Sequence, residues 1–175
     1  MSEVLAVLQE ALTIEQEGEA FYREAAVTCG SPLAKHTFLY LAEQEAKHAE
    51  YFRLVYDALA QQQAWPARDA VDLSLLPVPE AAQGIFARAQ TEVETGGPLC
   101  VELHEMYEVA LEKERHSLAL YQQQAAETER ADQREFFEFL VAQERGHLEL
   151  LANTQKFLDD PAHWYFDQEQ WIVEG

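Results

Sequence analysis

Two copies of one short pattern carry the chemical content of this chain. Glu45 and His48 stand three positions apart, and Glu144 and His147 repeat that spacing. Each pair follows another glutamate by 30 residues, Glu15 to Glu45 and Glu114 to Glu144. One Glu-x-x-His on a helix is usually a surface ion pair, but the neighbours here argue against that. Phe38, Leu41, Glu45, His48, Phe52 and Val55 recur at alternating steps of three and four, as do Phe137, Leu140, Glu144, His147 and Leu151. This is the period of a helical stripe facing a core. Leu8, Ala11, Glu15, Gly18 and Tyr22 form another stripe, and Tyr107, Ala110, Glu114, Ser117 and Tyr121 its partner. Four carboxylates and two imidazoles are therefore expected inside one apolar interior.

Such a group does not stay ionised unaided. Desolvating a single carboxylate costs several kcal/mol, and mutual repulsion adds to it. Two divalent cations would offset four negative charges. Oxygen and imidazole donors without thiolate suit iron or manganese, and zinc is compatible. One Glu from each of two helices, with Glu-x-x-His from each of two others, is the known ligand pattern of ferritin-like di-metal bundles. The expected ligands are thus Glu15, Glu45, His48, Glu114, Glu144 and His147, and the expected cofactor is two iron ions. Tyr22 and Tyr121 lie two turns beyond the first glutamate of each half. Their ordinary role is as core aromatics; their functional one is to donate a hydrogen bond to a carboxylate of a neighbouring helix. His36 and His116 fall off the stripes, and His104 lies about 15 Å along its helix from Glu114, too far to share a metal.

Four long helices must position these side chains. The periodicity predicts helices over about 3–28, 32–63, 98–127 and 131–158. Gly30 ends the first, and Ser31-Pro32 provides an N-cap with proline at the first helical position of the second. Short links within each pair imply antiparallel hairpins. A connection over about 64–97, holding Pro66, Pro77 and Pro79 and a short helix near 80–94, is long enough to return along a bundle of about 40 Å. Shifting the second half back by 99 positions brings 12 residues of 107–151 onto identical ones in 8–52, without a gap. Chance would supply roughly one match in fifteen. The expected fold is all-α: a four-helix bundle of two duplicated hairpins joined by a long crossover (1–158), related by a pseudo-twofold axis. A C-terminal extension (159–175), rich in aromatics, is expected to pack across it.

The bulk properties narrow the function. A chain of 175 residues, 48% hydrophobic, suits one domain with its own core. A formal net charge of −20 disfavours nucleic-acid binding. Cys29 and Cys100 form no CxxC motif. Acidic residues come too early in MSEVLAVLQEALTIEQE for a signal peptide, and no apolar run reaches membrane-spanning length. The expected location is the cytoplasm.

The segments EQEGEAFYREAA, FLYLAEQEAKHAEYF, LEKERHSLALYQQQA and FFEFLVAQERGHLELL together resemble the four helical motifs of the rubrerythrin branch of ferritin-like di-iron proteins. The ending DPAHWYFDQEQWIVEG is similar to tails of single-domain members. The resemblance implies bridging roles for Glu45 and Glu144, terminal roles for Glu15, Glu114, His48 and His147, and hydrogen-bonding roles for Tyr22 and Tyr121. It implies a centre oxidised by hydrogen peroxide or dioxygen and then re-reduced, in defence against oxidative stress. Two departures stand out. Rubrerythrins proper carry a rubredoxin-like domain with paired CxxC motifs; this chain has none, so electrons are expected from a separate donor of rubredoxin or flavoprotein type. Ser117 occupies the position, one turn after Glu114, where the family has an additional glutamate. Iron oxidation for delivery or storage is the alternative reading, favoured by the charge, and a metal-free helical interaction module is the third. A homodimer is the expected assembly.

Overall fold

The computed structural model describes residues 2–61, 64–66, 82, 84–86 and 101–160. They form four long helices: α1 (Ser2–Thr28), α2 (Pro32–Ala60), α3 (Val101–Glu127) and α4 (Ala131–Asp159). No strand occurs among the described residues. The bounds follow the sequence signals closely. At the start of α2 the Ser31 side chain accepts a hydrogen bond from the Ala34 amide at 3.3 Å, and Pro32 fills the first helical position. That cap satisfies one of the amides that a helix N-terminus leaves unpaired. The second helix stops at Ala60 rather than near residue 63, closing on a bond from the Gln61 amide to the Asp57 carbonyl. Arg130 precedes α4 without a side-chain cap. Arg134, one turn inside α4, instead donates to the Thr128 carbonyl at 2.7 Å, just past the end of α3. A cation there complements the negative end of the α3 dipole.

Helix α1 packs along α2 and α3 along α4, with lighter contact between α2 and α4 and between α1 and α3. The arrangement is the ferritin-like bundle of two antiparallel hairpins. Two apolar clusters fill its ends. One gathers Tyr22, Phe38, Leu41, Tyr107 and Leu151; the other gathers Leu8, Phe52, Val55, Tyr121, Phe137 and Leu140. The duplication is visible in the ring packing: Tyr22 stacks on Phe38 at 6.0 Å between centroids, and Tyr121 lies 6.3 Å from Phe137. Most of the crossover and residues 161–175 lie outside the described residues. Within the crossover, residues 82 and 84–86 are helical. Ile85 enters the first cluster, and Phe86 meets Phe157 edge-on at 5.7 Å. Trp65 packs on Phe136 in the second.

Candidate metal centre

Between the two apolar clusters sits a polar layer built from all four helices. Glu15, His48, Glu144 and His147 have no exposed surface, and Glu45 and Glu114 have almost none. Each comes from the stripe that the sequence assigns to it. In α3 the register is that of the repeat, because Glu114 is buried whereas Glu112 is exposed. The six side chains fall into two overlapping groups. Glu15, Glu45, His48 and Glu144 bring one ligand atom each within 4.8 Å of one another, and so do Glu45, Glu114, Glu144 and His147. Glu45 and Glu144 belong to both, so the geometry makes them the shared carboxylates. The imidazoles of His48 and His147 face each other, with ring centroids 5.5 Å apart.

The contacts are those of atoms converging on a point. His48 Nδ1 lies 3.3 Å from Glu15 Oε2 and 3.4 Å from Glu144 Oε1, yet hydrogen-bonds to neither. Glu45 Oε1 and both Glu144 oxygens are likewise buried without a hydrogen bond. Unpaired buried carboxylate and imidazole atoms are costly unless something else satisfies them. Four carboxylates and two imidazoles fit two divalent cations in donor type, number and charge. Their protonation reflects the same crowding. Burial and the nearby carboxylates push Glu45 well above the usual carboxylate range. Burial and repulsion from Glu144 lift Glu114 to about 8. Burial alone would lower His48, but the charges of Glu15 and Glu144 outweigh it and raise the group to about 9. His147 is raised well above its ordinary value by Glu114, Glu144 and Glu45, against the effect of burial. Glu144 moves the other way: burial would raise it, but the close approach of Glu114 and both histidines holds it below the usual carboxylate range.

The tyrosines complete the layer. Tyr22 donates to Glu114 Oε1, and Tyr121 donates to Glu15 Oε1. Each hydroxyl therefore crosses from its own repeat to a carboxylate of the other. Burial and the surrounding carboxylates raise both phenols well above their ordinary value, so both keep their protons. His36 is half-buried, and His104 and His116 are exposed; none belongs to either group. Sequence reasoning placed Gly18 in the α1 stripe but missed its importance. A Cβ there would lie 3.0 Å from Glu45 Oε2, so any larger residue would push the Glu45 carboxylate back from α1. The signal was available, since glycine inside a helix costs about 1 kcal/mol relative to alanine and so calls for a packing reason.

A four-helix bundle whose layer of four glutamates and two histidines joins all four helices defines the ferritin-like carboxylate class. Within that class, the rubrerythrin family profile matches residues 6–155, and the chain belongs to the rubrerythrin family. Comparisons with curated proteins and with solved structures gave no match. Among the described residues, no helix is long and apolar enough to cross a membrane.

Proposed function

We propose that the chain holds two irons, with Glu45 and Glu144 shared between them, Glu15 and His48 completing one position, and Glu114 and His147 the other. The pair would serve to reduce hydrogen peroxide or dioxygen, protecting the cytoplasm against oxidative stress. The observation that carries this reading is the pair of overlapping buried groups in a chain of the rubrerythrin family. A di-iron centre, when bound, supplies electrons to an O–O bond and is restored by a donor. In this proposal the donor is a separate rubredoxin or flavoprotein, and the working unit is a homodimer.

The chain's own residues do the rest. Tyr22 and Tyr121 fix the orientation of Glu114 and Glu15, so that the second oxygen of each turns inward, beside His147 and His48 respectively, where a metal would bind. The aromatic layers above and below, Phe38 and Tyr107 at one end and Phe52 and Phe137 at the other, exclude water along the bundle axis. The buried phenols remain protonated and so can hold a hydrogen bond without adding charge.

Anaerobic iron loading followed by elemental analysis and peroxide assay tests the reading. Two irons per chain and repeated peroxide turnover with an added reductant are the expected result. The net charge of −20 favours a second reading, oxidation of iron for delivery or storage. It would show itself as one oxidation per iron, with further uptake of iron. Absence of bound metal would sink both and leave the helical interaction module. Light scattering in solution checks the dimer.

A further inference from the structure

The two halves of the centre are matched in their glutamates and histidines, and among the described residues a cavity reaches one of them. A cavity of about 300 Å³ opens between α1 and α3, where the two hairpins touch lightly. Its floor is formed by Glu45, Glu114 and Tyr22, its walls include Gly18 and Ser117, and Val109, 44% exposed, stands at its mouth. The counterparts of the floor residues under the 99-residue repeat are Glu144, Glu15 and Tyr121. None of those three is in the lining.

The repeat itself supplies the reason. Gly18 and Ser117 are counterparts, one turn beyond Glu15 and Glu114. At Gly18 the helix presents bare backbone, and Glu45 leans into the room this leaves. An added Cβ would meet Glu45 Oε2 at 3.0 Å, Cγ at 3.3 Å and Cδ at 3.4 Å. On the other hairpin Ser117 carries a buried side chain at the equivalent place. Lys113, over the Phe21 ring at 5.7 Å, joins α3 to α1 beside the opening.

We propose that small molecules the size of peroxide reach the centre through this cavity and meet it on one side only, at the position framed by Glu45, Glu114, Glu144 and His147. The inference rests on the two-metal reading. It makes the pseudo-symmetric centre functionally asymmetric: one metal position receives exogenous ligands, while the Glu15–His48 position stays closed.

Azide binding to the iron-loaded, oxidised protein tests this, read by the appearance of its charge-transfer absorption in stopped flow. The wild type is expected to bind one azide per chain. Val109→Trp should plug the mouth and slow association about ten-fold or more with two irons retained. Leu39→Trp, on an α2 position 37% exposed, should leave the rate unchanged. Ser117→Gly should open the second side and add a second azide per chain. An unchanged rate in Val109→Trp, or two equivalent azides in the wild type, would overturn the inference. If Val109→Trp fails to fold or to load iron, Ser117→Gly decides, and a single azide per chain there overturns it equally. The two readings fail differently: a protein without iron refutes the metal centre and this access route with it. A protein with two irons and fast azide binding to the plugged variant refutes the access route alone.

Discussion

The two hairpins are copies that agree in their buried glutamates, histidines and tyrosines and have diverged around them. Each contributes a glutamate from its first helix, Glu-x-x-His from its second, and a tyrosine that crosses to the other copy's first-helix glutamate. Around these, Gly18 stands against Ser117, Ile14 against Lys113 and Glu17 against His116. Even the helix starts differ: Ser31 caps α2 with its side chain, whereas nothing of the kind caps α4. Donor chemistry holds the inner positions in place, since losing one ligand leaves the other buried charges uncompensated. Residues at the α1–α3 seam carry no such constraint, and there the copies are free to become unequal.

The comparison can be broken most severely at the shared carboxylates. Glu45→Ala combined with Glu144→Ala removes one donor that both positions use from each hairpin. Bound metal should fall from about two per chain to none by elemental analysis. Retained stoichiometric binding would refute their shared role. The tyrosines offer a finer cut. Tyr22→Phe frees Glu114, and Tyr121→Phe frees Glu15. Each should weaken metal affinity by about 10–100-fold, the usual cost of losing a partner behind a ligand. Competition with a chelator measures it, and an affinity equal to wild type in either variant would remove that hydroxyl from the site.

Without metal, the buried groups should make stability fall as pH rises. Glu114, raised to about 8, and His48, raised to about 9, bind protons more tightly folded than unfolded. Their contribution is complete below the unfolded values of 4.5 and 6.5 and is lost as pH climbs through about 8 and 9. Glu144, held low, acts oppositely, but its contribution is lost only on acidification below 4.5. Calorimetry of metal-free protein should therefore give a Tm that declines between pH 6.5 and 9, and a rising Tm over that window would contradict the assignment. Metal binding requires deprotonated ligands and should flatten the decline. The smallest effect concerns the caps. Ser31→Ala should cost about 1 kcal/mol in denaturant unfolding. Arg130→Ala, at the uncapped start of α4, should cost less than about 0.5 kcal/mol. Equal losses would erase that difference between the hairpins.

Most of the fold and of the buried polar layer was legible in the residues. Helix ends were marked by Gly30, Ser31 and Pro32, and the three-four spacing of Phe38, Leu41, Glu45 and His48 put both donors on one buried face. These features are local, so one chain suffices to read them. The end of α2 was read a few residues late, because residues 61–63, Gln-Gln-Gln, carry no helix-stopping signal of their own. Spacing also placed Tyr22 and Tyr121 two turns from the glutamates, but not which carboxylate each would reach.

What the sequence by itself determined is which six carboxylate and imidazole residues are buried together, the helices that carry them, and their duplication. Periodicity within a helix and identity across a repeat are both properties of the linear chain. Spacing alone did not place Glu45 and Glu144 in both groups, a role only the family resemblance suggested. Tertiary structure alone decided that each tyrosine crosses to the opposite repeat. It alone decided, too, that Gly18 lets Glu45 rest against α1 beside an opening. Those outcomes depend on separations between helices to within an ångström, and inter-helix distances are set by packing from all four helices at once.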